Sequence, residues 1–296
     1  MANSRELKSR MKAVRNIQRI TKTMQMIATA RFQAMQRRAT EAKAYTQRIE
    51  AMVGQLAASV ATSGEITHPL LAEPSAPAGR ELLLIVTSNR GLCGGYNANV
   101  LRTAQQYLRA ATKPIEVELI GKKGQAYCKF NQIDVASFHD QIGDTPEYLT
   151  VEALANDYME RYEAGAFDRI LVASMRFETM SRQTPQISQL LPITSVDAGE
   201  EAAADAAAGP SAIYEYSPDP EELLAELLPV TVRTALFQRL NEAVVSEQLA
   251  RMVAMKSATD AAGKMGKSLK RMYNRARQTQ ITTELTEIIS GAAALG

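Results

Sequence analysis

The segment 261–268 contains the residue types of a phosphate-binding loop. Its sequence, Ala-Ala-Gly-Lys-Met-Gly-Lys-Ser, fits a relaxed P-loop pattern in which alanine replaces the first glycine. Such a loop needs a buried strand before it and a helix whose N-terminus faces the phosphates. Residues 246–260, however, are rich in Met, Ala and charged residues at helical spacing. We therefore interpret the segment as a glycine-containing part of a long helix with a basic face, and keep a P-loop ATPase using 261–268 as an alternative.

A second glycine-rich segment has the sequence Gly91-Leu92-Cys93-Gly94-Gly95. It lies between a predicted strand and a predicted helix, where a dinucleotide-binding loop would lie. The spacing differs from G-x-G-x-x-G, and no ribose-binding acid follows about 20 residues later. Because Cys93 has no neighbouring base in the sequence, it is a poor candidate for a nucleophile. The segment therefore predicts a tight turn and no cofactor.

Cysteine and histidine are too scarce for most metal or nucleophilic sites. The chain has two cysteines, Cys93 and Cys128, and two histidines, His68 and His139. This inventory predicts no zinc site, no catalytic residue and two reduced thiols in a cytoplasmic compartment. The longest purely apolar run, 82–86, is far too short to cross a bilayer, and the N-terminus lacks a signal-peptide core.

The net charge of +2 hides a strong asymmetry along the chain. Residues 1–53 carry 12 Lys/Arg and 3 Asp/Glu, whereas residues 54–220 carry 12 and 21. A basic N-terminal segment before an acidic middle indicates a partner that is recognised by charge. A basic coiled coil that binds nucleic acid is a further alternative, although aromatic residues and base-reading clusters are missing.

The N-terminal segment predicts one long helix, because residues 4–53 contain neither Gly nor Pro. Continued to about residue 60, it would be roughly 80 Å long. An apolar stripe at steps of three and four predicts a seam for one partner helix, and a basic stripe lies about 100° around the helix. The predicted seam contains Leu7, Met11, Val14, Ile17, Ile20, Met24 and Ile27, and the basic stripe contains Arg5, Lys8, Lys12, Arg15, Arg19 and Lys22.

The middle of the chain alternates between strand and helix patterns. A Pro- and Gly-rich connector over 62–79 precedes the continuous apolar strand 82–87. Alternation over about 140 residues implies a mostly parallel sheet with helices on its faces. The remaining predicted strands are 115–120, 135–138 and 169–174, and the predicted helices are 97–111, 122–130 and 151–163.

The C-terminal part predicts a second long helix. The acidic, Ala-rich segment 197–211 has nothing to bury and predicts a surface excursion. Asp219 and Pro220 form a helix start, and Pro229 should interrupt or kink the helix early in its length. The stretch 230–289 then has no proline. Antiparallel pairing of the two long helices would give a rod on a globular foot, with domains at 1–61, 80–218 and 219–296 and the connector 62–79.

Four blocks of sequence resemble the gamma subunit of F-type ATP synthases, in the same order along the chain. The C-terminal I-T-x-E-x-x-E-x-x-x-G-A pattern is the most specific of them. Its residues are Ile281, Thr282, Glu284, Glu287, Gly291 and Ala292, and 273–278 belong to the same block. The other three blocks are 20–26, Arg90 to Gly95 with Asn97, and 246–255.

The resemblance implies a fold of two long terminal helices in an antiparallel coiled coil plus a central Rossmann-like α/β domain. It implies a non-catalytic rotor subunit of a proton-translocating ATP synthase. The coiled coil would turn inside the alpha–beta hexamer, and the α/β domain would lie on the membrane c-ring beside epsilon, on the cytoplasmic side of the inner membrane. We expect no cofactor, metal, nucleic acid or small-molecule ligand.

The resemblance also directs the choice of contact residues. We hypothesise that the basic stripe from Arg5 to Lys22 faces acidic loops of the hexamer, with Met24 at an adjoining packed position. Arg277 and Gln278 would meet the hexamer from the C-terminal helix, and the small, uncharged end 288–296 would turn in its upper bearing.

Overall fold

The computed structural model describes residues 4–63, 68–71, 77–193 and 220–293. The chain divides into two compact units, one of residues 1–30 with 251–296 and one of residues 31–250. We call them the two-helix unit and the α/β unit. The segment 197–211, Asp219 and most of the connector 62–79 lie outside the described residues.

Two long helices run through both units. Helix α1 spans Ser4–Ser63 and the last helix, α5, spans Pro220–Ala293. Burial along α1 follows alternating steps of four and three, with Leu7, Ala28, Phe32, Ala39 and Ile49 all less than 8% exposed. Such a seven-residue period is typical of a helix that packs against one other helix. The predicted combination of an N-terminal helix, a C-terminal helix and a central, mostly parallel sheet is confirmed.

The sequence predicts an interruption or a kink at Pro229, and helix α5 is not interrupted there. Proline removes the N–H group that would bond the carbonyl four residues earlier. That carbonyl belongs to Ala225, an exposed residue, so water can bond it. Leu224, Leu228 and Val232 are at most 2% exposed, and their packing holds the helix before and after the proline.

The α/β unit is built on a five-stranded sheet in the order β3-β2-β1-β4-β5. The central strand β1, Glu81–Val86, is buried along its whole length and pairs in parallel with β2, Ile115–Ile120, and β4, Arg169–Phe177. The short β3, Ser137–Phe138, continues the parallel part. The antiparallel edge strand β5, Gln183–Leu191, was not predicted from the sequence.

Helices cover both faces of this sheet. On one face, α2 (Tyr96–Ala110) and α3 (Lys122–Phe130) pack on alternate residues of β1 such as Leu83 and Ile85. On the other face, α4 (Tyr148–Glu163) joins the 49–56 part of α1 and the 224–243 part of α5 over Leu82 and Leu84. None of the helices in the described ranges is long and apolar enough to cross a membrane.

A buried carboxylate ties the edge of the sheet to α4. Glu118 on β2 is 1% exposed and accepts hydrogen bonds of 2.7 Å from His139, Tyr158 and Arg161. Burial alone would raise the pKa of Glu118, but these three donors outweigh it and lower the pKa to about 2. The cluster joins β2, the residue after β3 and α4 at one point.

Candidate functional site

The packed seam of the two-helix unit differs from the predicted one beyond Val14. Leu7, Met11 and Val14 face the partner helix as expected, but Ile17, Ile20 and Ile27 are 51%, 56% and 52% exposed. The seam continues instead through Gln18, Thr21, Gln25 and Ala28. The predicted stripe contains three successive steps of three residues, so it turns away from the regular four-and-three spacing that keeps a seam on its partner.

Antiparallel pairing of the two helices follows from contacts at three levels of this unit. The Ser4 hydroxyl donates to the Gln280 side chain at 2.8 Å, and the Thr259 hydroxyl lies 2.8 Å from that of Thr21. Between them, Val14 lies over Gly266. The residues of α5 that face α1 keep the same spacing, at positions 255, 259, 262, 266, 269, 273, 276 and 280.

Two different exposed flanks border the α1 seam. The residue after each seam position from Ser4 to Thr21, about 100° around the helix, is basic and exposed: Arg5, Lys8, Lys12, Arg15, Arg19 and Lys22. The residue before each later seam position is apolar: Ile17, Ile20, the half-buried Met24 and Ile27. Lys8, Lys12, Arg15, Arg19 and Lys22 make no ion pair with any residue that the structure describes. Lys8 to Lys22 on the basic flank and Ile17, Ile20 and Ile27 on the apolar flank are therefore exposed and available to a partner.

The end of α5 is helical but wholly exposed. Every residue from 281 to 293 is exposed, as are Arg277 and Gln278. Ile281, Leu285, Ile288 and Ile289 are 50%, 53%, 70% and 60% exposed, at a spacing that places them on one side of the helix. Of the motif residues here, Glu284 accepts a hydrogen bond from Gln280 and Thr282 supplies a carbonyl to Thr286, while Glu287, Gly291 and Ala292 remain exposed. An unpacked helix end with an apolar stripe indicates a surface for a partner.

The glycine-rich loop of residues 88–95 follows the carboxyl end of β1 and is held by its own side chains. Asn97 accepts a hydrogen bond from the Ser88 N–H at 3.0 Å, and its amide nitrogen donates to the Ser88 Oγ at 2.7 Å and to the Cys93 Sγ at 3.2 Å. The Ser88 Oγ donates in turn to the Arg90 carbonyl. These bonds connect the start of the loop to the first turn of α2 and hold the turn in one conformation.

The same loop presents Leu92 in a strained conformation. Leu92 has φ 64° and is 61% exposed, and Gly94, two residues later, has φ 56°. The left-handed region costs a non-glycine residue roughly 1–2 kcal/mol. Because the exposed Leu92 side chain buries little apolar surface, burial does not offset this strain. Leucine at this position therefore destabilises the folded state.

We expect Leu92→Gly to raise the free energy of unfolding by about 0.5–1 kcal/mol, since removal of the strain exceeds the added chain entropy. Urea unfolding measures the change. Leu149→Gly is the matched control, because Leu149 is also exposed but lies in α4, where glycine should cost about 1 kcal/mol. Equal losses of stability in the two variants would contradict the strain at Leu92.

The segment 261–268 lies inside α5 and is not a loop. Its backbone N–H groups are used by the helix, and Gly263 and Gly266 are half-buried at the seam, so the P-loop alternative is wrong. In the described ranges, no group of three or more His, Cys, Asp or Glu side chains is arranged to hold a metal ion. Both cysteines are buried and free, and burial raises the pKa of the Cys128 thiol.

Known proteins with the same sequence pattern settle the family. A family model described as ATP synthase matches residues 3–295. The ATP synthase gamma chain of Rhodopirellula baltica is 42% identical over 298 residues, which covers 100% of this chain and 99% of that one. The chain belongs to the ATP synthase gamma-chain family. The gamma chain of Rhodospirillum rubrum is 39% identical, with both chains covered completely.

The fold of this gamma chain is also found in a solved assembly. A chain in the mitochondrial ATP synthase of Euglena gracilis, from a structure of OSCP, F1 and c-ring in rotational state 3, has a TM-score of 0.66 and 19% identity. The likeness covers 99% of this chain and 94% of that one. The likeness shows that this gamma chain and that chain share a fold over nearly their whole lengths.

The apolar flank is the part of this gamma-chain surface that the sequence analysis missed. Ile17, Ile20 and Ile27 were assigned to the seam because they are apolar, whereas the structure gives those places to Gln18, Thr21 and Ala28. The signal was available in the sequence: from Leu7, Met11 and Val14, unbroken alternation of steps of four and three continues through 18, 21, 25 and 28, and not through 17, 20, 24 and 27.

Proposed function

We propose that this gamma chain is the rotating shaft of a proton-translocating F-type ATP synthase, and that it couples rotation of the membrane ring to conformational changes in the catalytic alpha–beta hexamer. The observation that carries the proposal is the two-helix unit, with a buried seam, exposed basic and apolar flanks and an unpacked helix end. Nucleotide chemistry would belong to the hexamer, and this chain would contribute contacts and torque.

The basic flank suits a contact that must form and break in each turn. Exposed ion pairs contribute only about 0–1 kcal/mol each, so acidic loops of the hexamer could engage Lys8, Lys12, Arg15, Arg19 and Lys22 in turn without being trapped. Arg5, Met24, Arg277 and Gln278 complete the proposed contact set. The apolar flank adds a second side with different chemistry, and a shaft with unlike sides can favour different conformations in the subunits around it.

The unpacked end of α5 would be the upper bearing. Its stripe from Ile281 to Ile289 is exposed at 50–70%, and an apolar collar in the hexamer would cover it. The α/β unit would contact the c-ring and epsilon at the cytoplasmic face of the inner membrane. The family motif Arg90 to Gly95 belongs to this unit, in a loop whose geometry is fixed by Asn97.

Reconstitution tests the proposal directly. ATP hydrolysis by a purified alpha–beta hexamer is measured with increasing amounts of this chain, after confirming that the chain alone neither binds nor hydrolyses ATP. We expect strong, saturable activation at one chain per hexamer. Hydrolysis by the isolated chain, or failure of the folded chain to enter its cognate hexamer, would overturn the proposed function.

A further inference from the structure

The two-helix seam has an apolar part followed along α1 by a polar part. Leu7, Met11 and Val14 occupy successive seam positions of α1, and Leu269 and Tyr273 lie on α5. The next α1 positions are Gln18 and Thr21. Apolar side chains stabilise a coiled coil but specify its register poorly, whereas a buried polar residue at the seam specifies the register at some cost in stability.

A hydroxyl pair crosses the polar part of the seam. Thr21 is 9% exposed and donates to the Gln18 carbonyl at 3.1 Å, which leaves its oxygen free to accept a second bond. The Thr259 hydroxyl donates to that oxygen at 2.8 Å, with the Met255 carbonyl at 2.8 Å as its alternative acceptor. The Thr21 proton is therefore donated within α1, and the Thr259 proton is donated to Thr21. This interhelical bond forms only when the two threonines are opposite each other.

Two glycines of α5 lie opposite larger side chains of α1 in the same region. A Cβ atom added to Gly263 would lie 3.0 Å from the Gln18 Nε2, and one added to Gly266 would lie 4.0 Å from the Val14 Cγ1. Glycine stabilises a helix less than alanine does, but its lack of a side chain lets the two helices lie close together. Large side chains opposite glycine form a shape match that other registers lack.

We propose that Thr21 with Thr259, Gln18 with Gly263 and Val14 with Gly266 define the register of the two-helix unit. A slip of α5 by seven residues would keep a heptad seam but would place Tyr273 or Thr259 against Val14 instead of Gly266. The same slip would place Met252 or Gly266 against Thr21, and the hydroxyl pair would be lost. The three contacts thus disfavour the registers that the apolar seam alone would accept.

Distance measurements on the full chain test this register without any partner subunit. Spin labels at Ser9→Cys and Lys270→Cys, both exposed in this unit, report the relative position of the helices along their length. We expect one narrow distance in the parent chain. Thr21→Val with Thr259→Val, which conserves volume, should broaden the distribution or add a population displaced by about two helical turns, roughly 10 Å.

Two further variants separate the parts of the proposal. Gly263→Leu should broaden the distribution because its side chain would occupy the space of the Gln18 amide, whereas Gly266→Ala, with 4.0 Å available, should leave it narrow. Thr286→Val, which removes an exposed hydroxyl bonded only within α5, is the matched control for the threonine pair. Circular dichroism confirms that the helices persist in each variant.

Each outcome has a defined meaning. Unchanged distances in both the threonine and the Gly263 variants would overturn the proposed register contacts. A change in the Gly263 variant alone would overturn the role of the hydroxyl pair, and a change in the threonine variant alone would overturn that of the glycine contacts. Because no partner is present, these results are independent of whether the chain activates an alpha–beta hexamer.

Discussion

Lys22→Glu should lower ATP hydrolysis by the reconstituted complex roughly 5- to 30-fold. An exposed ion pair contributes up to about 1 kcal/mol. Charge reversal removes that attraction and adds a repulsion of similar size, and each 1.4 kcal/mol changes an equilibrium tenfold. Adding Arg15→Glu and Arg19→Glu should lower ATP hydrolysis further. Because salt screens exposed charges, the difference from the parent chain should shrink as ionic strength rises.

Folding and surface charge need separate controls in that experiment. Lys22 is exposed and makes no ion pair with a described residue, so the unfolding midpoint of Lys22→Glu should equal that of the parent. Arg102→Glu reverses a charge on α2 that is also exposed and outside the proposed contact set, and its activity should remain normal. If Lys22→Glu assembles and couples as well as Arg102→Glu does, the basic flank is not the contact.

The apolar flank of α1 is the alternative surface for the contact with the hexamer. Ile20→Ser removes an exposed side chain one residue before the Thr21 seam position, on the other side of the seam from Lys22. Loss of activity in Ile20→Ser, with normal activity in Lys22→Glu, would assign the hexamer contact to the apolar flank. Losses in both would mean that the hexamer contacts both sides of α1 during the cycle.

The sequence predicted the large elements well because their signals are local. Residues 4–53 lack Gly and Pro, and the structure has one helix from Ser4 to Ser63. The unbroken apolar run at 82–86 is the central strand of the sheet, buried on both faces. Strands of that kind are enclosed by helices, so their composition identifies them without knowledge of their neighbours.

The elements that were missed or misplaced depend on neighbours. Strand β5 is polar, contains Pro185 and lies at the sheet edge, where proline is tolerated, so it carries no strong strand pattern. The residues that Gln18 and Thr21 contact across the seam, Gly263 and Thr259, lie more than 230 residues later. Composition within a short window cannot show such pairs.

The Glu118 cluster shows the same dependence most clearly. Its four members come from β2, the residue after β3 and two turns of α4. In the sequence, Glu118 alternates with apolar residues in a strand pattern, which predicts an exposed carboxylate. Only the assembled sheet brings His139, Tyr158 and Arg161 within 2.7 Å of it. The charge is tolerated because every neighbour donates to it.

We expect Glu118→Gln to lower the free energy of unfolding at pH 7 by about 2–3 kcal/mol. The pKa of Glu118 falls from 4.5 to about 2 in the folded chain, and a pKa difference of one between the folded and unfolded states corresponds to about 1.36 kcal/mol. The neutral amide loses this charge-dependent stabilisation, while Arg161 keeps Glu116 as a partner at 2.7 Å. Urea unfolding at pH 7 measures the difference.

The difference in unfolding free energy between the parent and Glu118→Gln should depend on pH. A carboxylate with a lowered pKa stabilises the folded state above its unfolded pKa, and that contribution is lost as pH falls towards the folded value. The gap between the parent and Glu118→Gln should therefore be full above pH 5 and should close between about pH 4.5 and 2. Glu160→Gln, an exposed carboxylate on the same helix α4, should show neither the loss at pH 7 nor the convergence. A gap that stays constant down to pH 2.5 would mean that the amide disrupts packing, and that the charge of Glu118 does not hold β2, β3 and α4 together.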